Sequence, residues 1–273
     1  MAIILSGHAL AEDIFKNVKK KASVRKLCLA IVQVGENAVS ARYVRSKIEA
    51  ATSLGINVSL VSLLASVSTK KAREAVRKLA QDKNVQGIIV QLPLPKAVQA
   101  QEVLDEIPLE KDVDVLSSLA FGKFALGVLS ILPPTVGAIA NILRKAGVNL
   151  KGAEVALIGA GRLVGLPLML WLVRQGATVH VMQKSAKDIS AITKKADVVI
   201  SGTGASGILT GKMIKKGAVV IDAGTSEEAG SYGGDVDFKS VEKIASVITP
   251  VPGGVGPMTV ACLLENLVTL ASI

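Results

Sequence analysis

Short unbroken apolar runs alternate along this chain with stretches whose apolar residues recur every three to four positions, and that alternation predicts most of its architecture. The runs at residues 27–34, 58–63, 85–92, 154–159, 178–182, 197–201 and 218–222 read as buried strands. Helical patterns lie between them. Leu10, Ile14 and Val18 mark a surface helix over residues 9–21, and a second helix over 43–56 is ended by Gly55. Ala72, Ala75, Val76 and Leu79 form one inward face of a third, over 70–82. Residues 136–146, 166–175 and 259–273 complete the helices. Strands and helices in this order imply parallel sheets with right-handed crossovers. Pro93 and Pro95 stop the third strand, and Pro133 and Pro134 divide the pattern into two series. The expected fold is α/β, with two α/β domains and a cleft between them. One spans residues 1–133 with a C-terminal helix at 257–273, and the other is a Rossmann-like unit over 134–256.

Composition changes this picture little. With 273 residues, half of them apolar and 20 % charged, the chain can bury a sizeable core and is not a disordered protein. Aromatics are 3 %, so the core is aliphatic. The net charge of +10 invites a nucleic-acid reading, but no such motif accompanies it and stacking aromatics are scarce; an anionic small molecule suits the basic surface better. Two cysteines and two histidines, all far apart, indicate neither a disulfide framework nor a metal centre. No secretory signal pattern is visible at the N-terminus. Residues 124–143 carry no charge, yet Pro133-Pro134 in their middle argues for a buried turn and a helix rather than a membrane span. A soluble cytoplasmic protein is expected.

Several residues stand out for their chemistry. Tyr43 and Lys47, at i and i+4, project from one helix face. Ala50 and Ala51 follow one turn on, so Lys47 has no carboxylate partner along its helix. A lysine so placed against an apolar cleft would have its pKa lowered by desolvation and exchange protons near neutrality. Gln91 lies at the carboxyl end of its strand, where open α/β sheets bind ligands. Asp112 and Asp114, two apart in KDVDV, would face one side of an extended segment. In the stretch ITPVPGGVGPMT, residues 248–259, Pro250 and Pro252 stiffen the backbone, and Gly253, Gly254 and Gly256 permit close approach. The run Gly159-Ala160-Gly161-Arg162-Leu163-Val164-Gly165 follows a strand and opens a helix, the setting of a dinucleotide loop.

Four blocks, VGENAVSARYVRSKIEAATSLGI, VQGIIVQLPLP, EKDVD and ITPVPGGVGPMT, resemble in order and spacing the signatures of the methylenetetrahydrofolate dehydrogenase/cyclohydrolase family. The likeness runs from about Leu5 to Ala271. It implies an N-terminal folate-binding domain followed by a dinucleotide-binding one. It also implies oxidation of 5,10-methylenetetrahydrofolate to the methenyl form and hydrolysis of that product, in a homodimer joined through the second domain. Lys47 then matches the catalytic lysine, Gln91 the amide that tunes it, Asp114 the carboxylate that anchors the pterin and Tyr43 its stacking partner. Pro93 belongs to the matching strand end, and Pro252, Gly253, Gly254, Val255 and Gly256 to the loop over the folate.

The chain also departs from the family pattern. Val115-Leu116-Ser117 stands for Gly-Phe-His, and Pro133-Pro134-Thr135-Val136 for Pro-Cys-Thr-Pro. In the cofactor loop Ala160-Gly161 replaces Arg-Ser, and Gln183-Lys184-Ser185-Ala186 replaces His-Ser-Arg-Thr. The expected cofactor contacts are Gly159, Ala160, Gly161, Arg162, Val164, Gly165, Lys184, Ser185, Thr135, Gly202 and Asp222. No acid stands at the end of the 178–182 strand to hold a ribose 2′-hydroxyl, whereas Lys184 and Ser185 suit a 2′-phosphate. NADP is therefore expected over NAD, with a tetrahydrofolate derivative as substrate and no metal. Two alternatives remain at this level: a Rossmann dehydrogenase of another small metabolite, and a non-catalytic descendant that binds folate or nucleotide.

Overall fold

The computed structural model describes residues 1–35, 38–228 and 231–272. Along the first half run β1 (Ile3–Ile4), α1 (Gly7–Ala22), β2 (Cys28–Val34), α2 (Ala38–Ser53), β3 (Asn57–Leu63), α3 (Thr69–Gln81), β4 (Gly87–Val90), α4 (Ala100–Leu104) and α5 (Ser118–Leu126). Next come α6 (Pro134–Lys145), β5 (Glu154–Ile158), α7 (Gly165–Arg174), β6 (Thr178–Met182), α8 (Ser190–Thr193), β7 (Val198–Ser201) and β8 (Val219–Asp222). The chain closes with β9 (Ser226–Glu228), β10 (Ser231–Gly233), α9 (Phe238–Val241), β11 (Val247–Ile248) and α10 (Val255–Leu270). Among the described residues no helix is long and apolar enough to cross a membrane.

Two compact α/β units result. One comprises Glu12–Pro134 and Val260–Ile273. Its parallel sheet has the order β3-β2-β4, and β2 at the centre is aliphatic and almost wholly buried. Ala72 and Val76 of α3 pack on Ala30, Val32, Ile88 and Val90 of that sheet. Ser68 caps α3 by accepting from the Lys71 amide, which starts the helix one residue earlier than apolar spacing alone indicates. Gly87 is required where β4 meets its neighbours. A Cβ there would lie 2.6 Å from Leu267 of α10 and 2.8 Å from Val113.

The other unit comprises Met1–Ala11 and Thr135–Thr259. Its six strands are all parallel, in the order β1-β11-β8-β7-β5-β6, with a small antiparallel hairpin of β9 and β10 beside them. The first eleven residues thus fold with the second series rather than with the 1–133 segment that chain order suggests. Ile3 and Ile4 pair with Val247 and Ile248 at the sheet edge, a pairing that two-residue strands cannot announce in sequence.

Candidate active site

The Glu12–Pro134 unit carries Tyr43, Lys47, Gln91, Pro93 and Asp114, whereas residues 252–256 belong to the other unit. Tyr43 and Lys47 stand one turn apart on α2, Tyr43 exposed and Lys47 half-buried. Lys47 Nζ donates to Gln91 Oε1 at 3.2 Å. Gln91 directly follows β4, and its amide extends the ladder by donating to the Val32 carbonyl at 2.9 Å. Its side-chain Nε2 donates to the Leu92 carbonyl at 2.8 Å, so the amide group is held with its oxygen toward the lysine. The Leu92-Pro93 peptide that follows is cis.

Asp114 completes the group electrostatically. Burial pushes its carboxyl above the ordinary range; the positive charge of Lys47 opposes that rise and the negative charge of Asp112 adds to it. The expectation of a lysine without a carboxylate is modified here: the helix supplies none on its face, but the charge of Lys47 acts on Asp114, which lies on another segment. The two aspartates also do not act as an outward pair on an extended segment. Asp112 is fully buried at the end of a 3-10 turn, Leu109–Lys111, and spends its carboxylate on the amides of Leu116 and Ser117. Directly after Asp114, Val115 adopts φ 59°, a left-handed conformation that costs a non-glycine residue on the order of 1–3 kcal/mol.

Gln91→Ala removes the acceptor that orients Lys47 without removing the amine. Loss of one such hydrogen bond, about 0.5–1.5 kcal/mol, corresponds to roughly a 2- to 13-fold fall in rate. A shifted pH–rate profile is expected with it. An unchanged profile would take Gln91 out of the chemistry.

The Met1–Ala11 and Thr135–Thr259 unit carries the dinucleotide candidates, again at the strand ends. Gly159 follows β5 at φ 92°, and a Cβ on it would sit 2.8 Å from the Gly202 carbonyl oxygen. A Cβ on Gly202 would in turn lie 2.9 Å from Val164. A Cβ on Gly165 would overlap the Gly159 carbonyl. Gly159 thus packs backbone to backbone with Gly165 and Gly202 at the N-terminus of α7, and the Val164 side chain lies against Gly202, while Ala160 is half-buried and Gly161 faces open space. Arg162, Lys184 and Ser185 are exposed, the last two just beyond β6, which pairs with β5. Thr135 is half-buried in the first turn of α6. A bare loop at a helix N-terminus fits a pyrophosphate, because the helix dipole and its free amides both favour an anion.

Asp222 stands at the strand end that the sequence reading gave it, and its carboxylate has partners of its own. It is buried, and that carboxylate accepts the amides of Gly224, Asp235 and Val236 at 3.0, 3.1 and 3.0 Å. Burial raises its pKa to about 6, with the neighbouring Asp235 charge adding to the rise. It shapes the turn rather than offering a free acid to a cofactor.

Asp235 was not singled out from sequence at all. It is fully buried, and its Oδ2 accepts from Ser201 Oγ at 2.6 Å, Thr203 N at 2.7 Å and Thr203 Oγ1 at 2.9 Å. It thereby fixes the 201–203 turn that Gly202 belongs to. The signal in the chain was an acid set directly after the Gly233-Gly234 pair.

The proline-glycine stretch is only partly a loop. Pro252, joined by a cis peptide, and Gly253 and Gly254 form the turn, but Val255 and Gly256 already begin α10. Pro257 lies in the first helical turn, where its missing N–H is not needed, so the helix starts four residues earlier than the sequence pattern suggests. Gly253 has φ 102°, and its carbonyl accepts the Gly7 amide at 2.7 Å. A Cβ on Gly7 would strike the Gly254 carbonyl, so the start of α1 requires glycine where it meets this turn.

Comparison with known proteins agrees with both halves. Residues 5–114 match the catalytic domain of tetrahydrofolate dehydrogenase/cyclohydrolase, and residues 133–273 match its NAD(P)-binding domain. The bifunctional protein FolD of Hydrogenobaculum sp. is 42 % identical over 267 residues, covering 96 % of each chain. The FolD of Aromatoleum aromaticum is 39 % identical over 280 residues, covering 99 % of this chain and 97 % of the relative. Among solved structures, the bifunctional FolD of Campylobacter jejuni superposes with a TM-score of 0.95 at 38 % identity, covering 100 % of this chain and 99 % of that one. The chain therefore belongs to the tetrahydrofolate dehydrogenase/cyclohydrolase family.

Proposed function

We propose that this chain oxidises 5,10-methylenetetrahydrofolate to 5,10-methenyltetrahydrofolate with NADP and hydrolyses the product to 10-formyltetrahydrofolate, as an enzyme of one-carbon metabolism. The observation that carries this reading is the Lys47–Gln91 hydrogen bond, with the half-buried Asp114 interacting electrostatically with the same lysine. NADP, when bound, accepts the hydride that leaves the methylene bridge. The glycine loop and α7 are suited to its pyrophosphate, with Gly202 near the same strand ends. On the folate side Asp114 anchors the pterin and Tyr43 stacks on it. Lys47 takes a proton from the water that attacks the methenyl carbon and returns one to the departing ring nitrogen. Gln91 keeps the amine pointed at that path. Pro93 and the turn at Pro252, Gly253 and Gly254 are assigned to substrate contact, with Val255 and Gly256 at the adjoining helix start.

The division of labour is part of the same proposal: Tyr43, Lys47, Gln91, Pro93 and Asp114 are assigned to folate on one unit, and the other carries the cofactor loop at Gly159 together with residues 252–256. So is a cytoplasmic homodimer. Leu166 and Val173, large apolar residues exposed on α7, support self-association through the second unit.

Assay of the purified protein with methylenetetrahydrofolate and each nicotinamide cofactor tests the function. NADP is expected to give the higher kcat/KM, because Lys184 and Ser185 follow β6 and no acid is there to repel a 2′-phosphate. A charge-assisted contact contributes about 1.5–3 kcal/mol, so Lys184→Ala should lower kcat/KM for NADP roughly 10- to 150-fold and leave NAD nearly unchanged. A wild-type preference for NAD would refute the assignment.

A further inference from the structure

The turn that follows Asp112 contains a conformation its own sequence disfavours. Val115 is β-branched, wholly buried and at φ 59°, in a region that β-branched side chains avoid. Something must hold it there. Its amide donates to the Asp112 carbonyl at 3.3 Å, which closes the turn but does not select its hand. The Asp112 carboxylate does more. Leu116 N donates to Oδ1 at 3.2 Å and to Oδ2 at 3.1 Å, and Ser117 N donates to Oδ2 at 2.8 Å. These are the two amides immediately past the left-handed residue, and consecutive amides flanking such a residue form a concave anion site.

The clamp is itself anchored on three sides. Asp112 bridges to Ile88 in β4, the strand that leads to Gln91. Asn266 of α10 donates to the carbonyls of Val113 and Leu132 at 2.9 and 2.8 Å. Ser117 caps α5 by accepting from the Ala120 amide at 3.2 Å. Asp114 is the one acid between these fixed points, and its charge is coupled to Lys47. We propose that Asp112 is a positioning residue: its buried carboxylate holds Val115 left-handed and thereby fixes the direction in which Asp114 meets substrate and Lys47. The inference rests on the reading of Asp114 as the pterin anchor.

Glycine adopts positive φ without side-chain strain, so it would need no clamp. A double-mutant cycle therefore tests the idea through the Michaelis constants for folate and NADP, kcat and melting temperature. Asp112→Asn keeps the shape but removes the negative charge and puts an NH2 group in place of one of the two acceptor oxygens at the Leu116 amide. It should raise KM for methylenetetrahydrofolate roughly tenfold while KM for NADP stays unchanged. In the Val115→Gly background the same change should raise folate KM by no more than about threefold. If Asp112→Asn does not fold, recovery of folded, folate-binding protein by adding Val115→Gly supports the clamp, and no recovery overturns it. A parallel loss of all parameters, equal in both backgrounds, would make Asp112 merely structural and overturn the proposal. Asp114→Asn separates the two layers. If it leaves folate KM untouched, the anchor reading falls and the clamp with it. If it raises folate KM while Asp112→Asn does not, the anchor stands and the clamp alone is wrong.

Discussion

Lys47→Ala abolishes hydrolysis of methenyltetrahydrofolate while the protein stays folded and binds NADP. The half-buried lysine makes a hydrogen bond to Gln91 Oε1 and faces the charge of Asp114, and its removal leaves no amine in that group to carry a proton. General acid–base catalysis contributes typically about 10²- to 10⁴-fold, and hydrolysis needs it twice, once for the attacking water and once for the leaving nitrogen. Oxidation requires alignment of the methylene bridge more than proton transfer, so it should fall less. Stopped-flow absorbance of the methenyl chromophore separates the two steps. Hydrolysis by the variant at the wild-type rate would remove Lys47 from the mechanism. The substitution also deletes the positive charge that opposes the rise of the Asp114 pKa, so the Asp114 carboxyl should move further upward.

Gly165→Ala is expected to disable the cofactor side. A methyl group there overlaps the carbonyl of Gly159 and lies 2.8 Å from Ala160 Cα, and both obstacles are backbone. Side-chain rotation cannot relieve such a clash, so either the loop opens or α7 moves away from it. Overpacking of this kind typically costs about 1–3 kcal/mol of stability. Displacement of a binding loop by about 1 Å can reduce productive binding roughly a hundredfold. Trp171, the single tryptophan, lies on α7 and offers a fluorescence signal for the NADP titration. Gly161→Ala is the matched control: nothing stands within 4 Å of its Cβ position, and its melting temperature should stay near that of the parent. Equal effects of the two substitutions would show that packing against Gly159 is not what Gly165 supplies.

Much of the fold was legible in the chain because its signals are local. The aliphatic runs that became β2, β5, β6, β7 and β8 are bounded by polar or glycine residues, and the structure places each within a residue or so of the pattern. The inward stripe of α3 is equally plain, since Ala72 and Val76 bury what the charged residues around them cannot. The signature blocks likewise pointed to Tyr43, Lys47, Gln91 and Asp114 individually, and the strand–glycine–helix setting marked the loop between β5 and α7.

Only tertiary structure decided what depends on partners distant in sequence. β1 and β11 have two residues each and exist because they pair with one another and with β8. α5 was hidden inside an apolar, charge-poor stretch whose prolines drew attention further on; Ser117 and Gly127 cap it at its two ends. The lysine–amide contact joins residues 44 apart. The aspartates show the limit best. Asp112, Asp114, Asp222 and Asp235 look alike as letters among small and aliphatic residues. Burial and the number of amides aimed at each carboxylate make Asp112, Asp222 and Asp235 turn-holders and leave Asp114 facing a lysine. Periodicity records which side of an element is apolar, whereas a carboxylate's role depends on donors brought to it by the folded chain.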